Sequence, residues 1–450
     1  MIMPIVSIPS SIANGLADYR DLFPRCETYQ HIQEYCTGMV VFERPSIQRI
    51  SQCFVDGPSQ SSLNKAITTS PWSERAVKQR HLESIHPHHQ NGFTVGILDS
   101  TFIHHPWGQN IYGVYKYWDY VEKRYTYAIQ LVTAAISTND RLDGFGYRIY
   151  HRNFQRQERL YLEHTGTPEG ITDDEPDSDT WRRRLLELLS FQLHRQQART
   201  KSQLAVELID EMESSGVAPS AYAVDNSLFT PPVIERIEQS DKPWVADSAK
   251  NRILYHKSQR YNCETFQQTI PRESFKEVTI CINGQERTRW MFSCSVRIRR
   301  YGKVRFAIIY DNPDKQGEPT YVFTQMLFWN MHKILSVRLH RWDIEPFHEQ
   351  IKQFLGAEDS QLRTEQGVRK HLALVFVMNS LLKSIELSSP IGELPMDWPE
   401  DVQPTFGHRC RRIVLEIFHD LIQKIHHWIE TKAKTVTQVF EALFKRLLYA

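Results

Sequence analysis

No apolar run in the chain approaches the roughly 20 residues that cross a bilayer. The longest, LALVFVMNSLL at 372–382, reads as a buried helix. The opening MIMPIVSIPSS lacks the charged start and long apolar core of a signal peptide, so a cytoplasmic protein is expected. Its seven cysteines, at 26, 36, 53, 263, 281, 294 and 410, are scattered and form no CxxC pair. That excludes a disulfide frame and speaks against a structural zinc. Net charge is lacking too, at +1 from 54 Lys and Arg against 53 Asp and Glu. This is not the footprint of a simple basic nucleic-acid-binding domain. There is no internal repeat and no long low-complexity segment.

What is present is an ordinary globular composition, 41% hydrophobic and 24% charged over 450 residues, enough for two or three domains. Charge is uneven. RTRWMFSCSVRIRRYGKVRF, WRRR (181–184) and HRCRR (408–412) are basic, and TDDEPDSD (172–179) is acidic. Local basic patches neutralise phosphates whatever the whole-chain sum.

Residues 1–90 carry apolar residues at helical spacing and are expected to form a small helical domain, with HPHHQNG (86–92) as a turn-rich exit. Strand chemistry follows in FTVGILD, IYGVYKYWDY, RYTYAIQLVTAAIST and GFGYRIYHR. A long amphipathic helix is expected over 177–213, capped by Asp177, Ser178 or Asp179. AYAVD, TPPVIERIEQS and KPWVADSA then read as strand, helix and strand. Three strands, a helix and strand–helix–strand is the order of an RNase H-like mixed sheet, in which the first and fourth strands are parallel neighbours. The fold expected is therefore α/β. It divides into a helical domain (1–90), a core (91–250), a β-rich insertion (251–325) and the rest of the core (326–390). A helical region (391–450) closes it. Within these, helices are expected at 326–358, 364–387 and 408–447.

Three separated acids stand out. Asp99 ends the run GFTVGILD, Asp225 ends AYAVD, and Glu345 lies in RWDIEPFHEQIKQFLG. Parallel neighbouring strands would set the two aspartates side by side, where open α/β sheets place ligands. Magnesium takes a few carboxylate oxygens and keeps room for water and phosphate. On one helix, Arg341, Glu345 and Lys352 would fall within about 40° of each other. A surface salt-bridge pattern gives the same spacing. Pro346 either kinks that helix or marks its first turn after Asp343, and in the second case Arg341 precedes the helix. An aspartate ending a strand is more often a turn or cap residue, so the weight lies in the set. Asp119, Asp247 and Glu349 are set aside as decoys.

With the three blocks together, the chain resembles the DDE transposases of bacterial insertion sequences, in the group with a β-strand insertion. That group's signature is Tyr, two residues, Arg, three residues, Glu, six residues, Lys. Arg341, Glu345 and Lys352 match in type and spacing, and Arg338 stands at the tyrosine position. ILDST and AVDN resemble the two aspartate blocks, and the likeness spans about 35–390. It implies that Asp99, Asp225 and Glu345 bind two Mg²⁺ ions, for which Mn²⁺ substitutes. Cut-and-paste transposition is the activity implied, with cleavage at element ends, a hairpin intermediate and strand transfer. The partners implied are double-stranded DNA, as terminal inverted repeats and target, and a second protomer. Arg341 and Lys352 would hold phosphates, with Arg338 as a further DNA contact. The 1–90 helices would bind the terminal repeat, and the insertion would approach the transposon end with an aromatic ring holding a flipped base.

Within that insertion, Arg297, Arg299 and Arg300 with Trp290 are the expected DNA surface, since bases stack on rings and phosphates pair with arginine. A solvated face of a small sheet is the alternative. His86, His88 and His89 are expected in a loop, while His104, His105 and His348 are candidates for touching the DNA end. A transposase-derived DNA-binding protein without catalysis and a purely hydrolytic nuclease remain as alternatives.

Overall fold

The computed structural model describes residues 3–119, 122–151, 199–282, 284–396, 398–399, 402–431 and 435–444. The basic run 181–184, the acidic run 172–179 and the start of the helix expected from 177 lie outside them.

Five helices open the chain: α1 (Ser10–Gly15), α2 (Cys26–Val41), α3 (Ile47–Cys53), α4 (Gln60–Thr68) and α5 (Glu74–His89). Side chains of Ser46, Ser59 and Ser73 cap α3, α4 and α5 by accepting a backbone N–H three residues on. The histidine-rich exit is not a loop. Helix α5 runs through Pro87 to His89, because His89 is drawn inward to a buried partner, Asp143 Oδ2 at 2.8 Å. The helical region shares its core with the rest of the chain. Ile32 and Met39 belong to the same buried cluster as Leu372 and Phe376.

Next come β1 (Val95–His104), β2 (Val114–Asp119), β3 (Arg124–Ser137) and β4 (Leu142–Tyr150). Strand β1 pairs antiparallel with β3 along its whole length, from Val95↔Ser137 to His104↔Ala128. Strands β2 and β4 share the far edge of β3. Helix α6 (Lys201–Ser214) starts at a capping box made by Thr200 and Gln203. Then follow β5 (Ala221–Val224), α7 (Pro231–Gln239) and β6 (Trp244–Ser248). Strands β1, β5 and β6 are parallel neighbours. Both faces of this part are covered, so its strands read as continuous apolar runs.

The region expected as an insertion continues this sheet. It holds β7 (Ile253–His256), β8 (Gln259–Asn262), α8 (Cys263–Gln268), β9 (Lys276–Ile282), β10 (Gln285–Ile298), β11 (Gly302–Tyr310) and β12 (Thr320–Thr324). Strand β12 pairs antiparallel with β6, and the result is one 12-stranded mixed sheet. Strands β9–β10 and β10–β11 fold back on each other as antiparallel hairpins.

The chain then turns helical: α9 (Met331–Trp342), α10 (Ile344–Gln353), α11 (Glu365–Lys383), α12 (Phe406–Thr431) and α13 (Val436–Phe444). The helix expected over 326–358 is two helices with a break at Asp343. Pro346 sits in the first turn of α10, where its missing N–H has no helical acceptor to lose. Among the described residues no helix is long and apolar enough to cross a membrane.

One close approach fixes α10 against the sheet. A Cβ added to Gly144 of β4 would lie 2.6 Å from Phe347 Cζ and 2.8 Å from Phe376 Cδ1. Gly144→Ala is therefore expected to cost about 1–3 kcal/mol by overpacking, read from the midpoint of urea unfolding. An unchanged midpoint would contradict this packing.

Candidate active site

The parallel register of β1 and β5 brings the first two acids together. Leu98 and Val224 are register partners, and the Asp225 N–H donates to the Leu98 carbonyl at 2.9 Å. The next residues, Asp99 and Asp225, therefore leave the ladder side by side. Asp99 does not end its strand, because β1 runs five residues further, to His104. Asp225 does follow the end of β5, and its carboxylate accepts the Ser227 N–H at 2.9 Å, capping a short 3₁₀ turn.

Arg341, in the last turn of α9, closes the cluster. Its Nη1 lies 3.2 Å from Asp99 Oδ2 and 3.5 Å from Asp225 Oδ1. Its Nε lies 2.9 Å from Asp247 Oδ2, and its Nη2 donates to Glu345 Oε1 at 3.4 Å. One guanidinium thus gathers four carboxylates from β1, the end of β5, β6 and α10. Asp99 and Asp225 each approach the same nitrogen, so these oxygens are at most about 7 Å apart. That span accommodates metal ions about 4 Å apart. Glu345 is half exposed in the first turn of α10, where the helix dipole favours an acid.

Asp247 was set aside on sequence grounds, and the fold brings it in. It lies within β6, the next parallel strand, and also meets Arg338 Nε at 3.3 Å. The signal was there: KPWVADSA repeats the apolar-run-then-aspartate pattern of AYAVD. Arg338 is only 5% exposed, bonded to Asp247 and Thr320, with its guanidinium 5.2 Å from the Trp342 ring centroid. Its guanidinium therefore acts inward, on Asp247, rather than at an open DNA-facing surface.

Two histidines anchor α9 and α10, which carry Arg341 and Glu345, to β3. His340 Nδ1 lies 2.9 Å from Ser137 Oγ, and His348 Nε2 lies 3.0 Å from Thr133 Oγ1, which also donates to the Asp99 carbonyl. Burial pushes His340 down to about 4 and His348 down to about 3, so both are neutral struts. His348, expected as a DNA contact, is buried beneath the acids instead. His105 is buried as well, and burial lowers it to about 4. His104 bridges Asp119 Oδ2 at 3.0 Å and Glu358 Oε1 at 3.2 Å, and the Glu358 hydrogen bond holds its pKa up. Lys352 faces this group. Burial lowers its pKa while Glu358, Asp119 and Glu349 pull the other way.

The expected surface of the β-rich region is split. Arg297, Arg299 and Arg300 are exposed at the β10–β11 hairpin, with Arg300 at a φ of 77° in the turn. Trp290 is half-buried and packs against a core cluster, so it is not a free ring. Five strand spacings separate β1 from β10 in the sheet, about 24 Å. These arginines are therefore distant from the acids.

Charge at the acid cluster is unbalanced: four carboxylates meet two arginines. Burial first, then Asp225, push Asp99 up to about 8 against the pull of Arg341. The same acids raise Arg341 above its ordinary value although burial opposes its charge. All the donors are hard oxygens, the type that Mg²⁺ and Mn²⁺ take, and Asp99, Asp225 and Glu345 fit such a cation in type. As the side chains stand, among the described residues no group of three or more His, Cys, Asp or Glu is disposed to hold a metal ion. Arg341 stands among these carboxylates. No protein-family model and no curated protein matches the chain.

The pH dependence follows by linkage. Folded Asp99 keeps its proton to about pH 8 and unfolded aspartate loses it near pH 4. Its contribution to stability is fully present below about pH 4 and is lost as pH rises through about 8. Asp99→Asn should therefore flatten the decline of thermal stability between these values in metal-free buffer and melt above the parent protein at pH 8. Parallel declines in the two proteins would contradict the crowding.

Proposed function

We propose that the chain is a DDE-type transposase, cleaving DNA at the ends of a mobile element and joining those ends to target DNA. The observation that carries this reading is the convergence of Asp99, Asp225 and Glu345 on one guanidinium, from two parallel strand positions and one helix start. Cutting and joining a phosphodiester needs dense negative charge to hold cations beside a negatively charged substrate, and acids gathered beyond adjacent parallel strands of an α/β sheet are suited to that. The signature spacing of Arg341, Glu345 and Lys352 supports it from the sequence side.

Asp99, Asp225 and Glu345 would hold two Mg²⁺ ions. Bound there, the metal supplies a lowered pKa for the attacking water or 3′-hydroxyl and stabilisation of the leaving 3′ oxygen. Arg341 balances the carboxylates in the free protein and offers a bidentate fork to a DNA phosphate once they are otherwise neutralised. Lys352, two turns beyond Glu345 on α10, offers a second phosphate contact. His340, His348 and Thr133 keep the acids in place and carry no proton in the reaction. Two protomers would pair the two element ends.

A second reading, a DNA-binding relative without catalysis, is favoured by one observation: Arg341 already satisfies the acids. A supercoiled-target assay with labelled, precleaved element ends distinguishes the two, and Mg²⁺-dependent joining is expected. Asp99→Asn, Asp225→Asn and Glu345→Gln should each lower cleavage and joining by about a thousandfold or more, while gel-shift binding to the end persists. Binding alone by the parent protein would favour the non-catalytic reading, cutting without joining would mark a nuclease, and normal nicking by any of the three variants would overturn the site.

A further inference from the structure

Beyond the acids, the β1–β2–β3 ribbon carries large aromatic side chains that the core does not use. Trp107 is 95% exposed, Tyr125 63% and Trp118 38%. Rings of this size normally go inside, and a cluster left in water rimmed by charge marks a contact surface.

Their arrangement is ordered. Trp118 and Tyr125 are register partners on β2 and β3, with ring centroids 5.1 Å apart in an edge-to-face contact. The Lys116 ammonium lies 5.2 Å from the Tyr125 ring centroid. Trp107 sits in the turn after β1, where the His105 N–H donates to the Tyr127 carbonyl and the Gly108 N–H to the His105 carbonyl. That turn is therefore tied to the same strand as Tyr125. The hairpin adds Lys123 and Arg124, both exposed, against one exposed acid, Glu122, which Arg124 engages at 2.6 Å. Two further acids stand nearby and are already engaged: Asp119 is buried and bonded to His104, and Glu358 pairs with the same His104 and faces Lys352. On the exposed hairpin itself three cations, Lys116, Lys123 and Arg124, stand against one acid, Glu122.

The position relative to the acids follows from strand parity. Thr133 is the register partner of Asp99, and Tyr125 stands eight residues earlier on β3, hence on the same face. Eight residues of strand span about 26 Å, the rise of about eight nucleotides. Helix α10 leads along the same route, with Glu345 at the acids and Lys352 facing Asp119 and Glu358.

We infer that Trp107, Trp118 and Tyr125, with Lys116, form a stacking platform for unpaired nucleotides of DNA lying about eight nucleotides from the acid cluster. Stacking on aromatic rings is indifferent to sequence, and lysine and arginine beside the rings hold the phosphates. The platform rests on the reading of the acids as a DNA site for its orientation, and binding is measured in EDTA so that chemistry plays no part.

The probe is a duplex with a ten-nucleotide thymidine tail, compared with the same duplex without the tail, and affinity is read by fluorescence anisotropy. Trp107→Ala and Tyr125→Ala should each weaken binding of the tailed duplex by about 5–100-fold and leave the blunt duplex unchanged. Tail binding should also quench tryptophan fluorescence, less so in Trp118→Phe, a conservative change that keeps the fold. Equal affinity of parent and variants for the tailed duplex overturns the platform. So does a change in sedimentation of the variants without a change in tail binding, which would assign the face to a second copy of the chain. Tail binding that depends on these rings in a protein unable to cleave would leave the platform standing and remove the catalytic reading.

Discussion

One guanidinium holds the centre of this molecule. Arg341 reaches Asp99, Asp225, Asp247 and Glu345 at once, and these come from β1, the end of β5, β6 and α10. Without a cation among them four ionised acids so close together would repel one another strongly, and even with Arg341 in place Asp99 is driven to keep its proton to about pH 8. Removing one partner of a buried ion pair is costly, since the other charge is left uncompensated. Arg341 is therefore the strut of the cluster and, under the proposed function, the group that must be exchanged if metal and phosphate are to enter. Arg338 sets its geometry from behind by taking the other oxygen of Asp247.

The sheet explains why these residues and no others converge. Parallel pairing of β1 with β5 and of β5 with β6 puts Asp99, Asp225 and Asp247 on three adjacent strands. The break at Asp343 then separates the guanidinium, at the end of α9, from the carboxylate at the start of α10, yet keeps them four residues apart. Anchoring is by neutral histidines on β3, and burial rather than charge keeps them in that form. A positively charged histidine in either place would compete with Arg341 for the acids.

Local pattern made the elements of the core legible. The apolar runs ending in Asp99 and Asp225 gave two parallel neighbours, and 251–325 is rich in strands as expected. Long-range pairing was not legible. Nothing local says that β12 docks on β6, so a region expected as an insertion becomes the continuation of the sheet. Asp247 was set aside although KPWVADSA repeats the pattern of AYAVD, because only the pairing of β6 beside β5 and the reach of Arg341 show that it joins the cluster. His89 and His348 looked like surface groups by type, and only tertiary partners, Asp143 and Thr133, show why they are inside. Trp290 failed in the opposite direction: its ring was expected outside and the sheet half-buries it, while Trp107, in a short turn, carries no periodic signal at all.

If divalent metal displaces Arg341 from the acids, as proposed, a crystal of the protein grown with Mn²⁺ and measured at the manganese absorption edge will show it most directly. Anomalous peaks are expected between Asp99 and Asp225, with Glu345 within ligand distance of one of them and Arg341 moved off Asp99. A cluster with no anomalous peak at millimolar Mn²⁺ and Arg341 still bridging all four carboxylates would contradict the exchange.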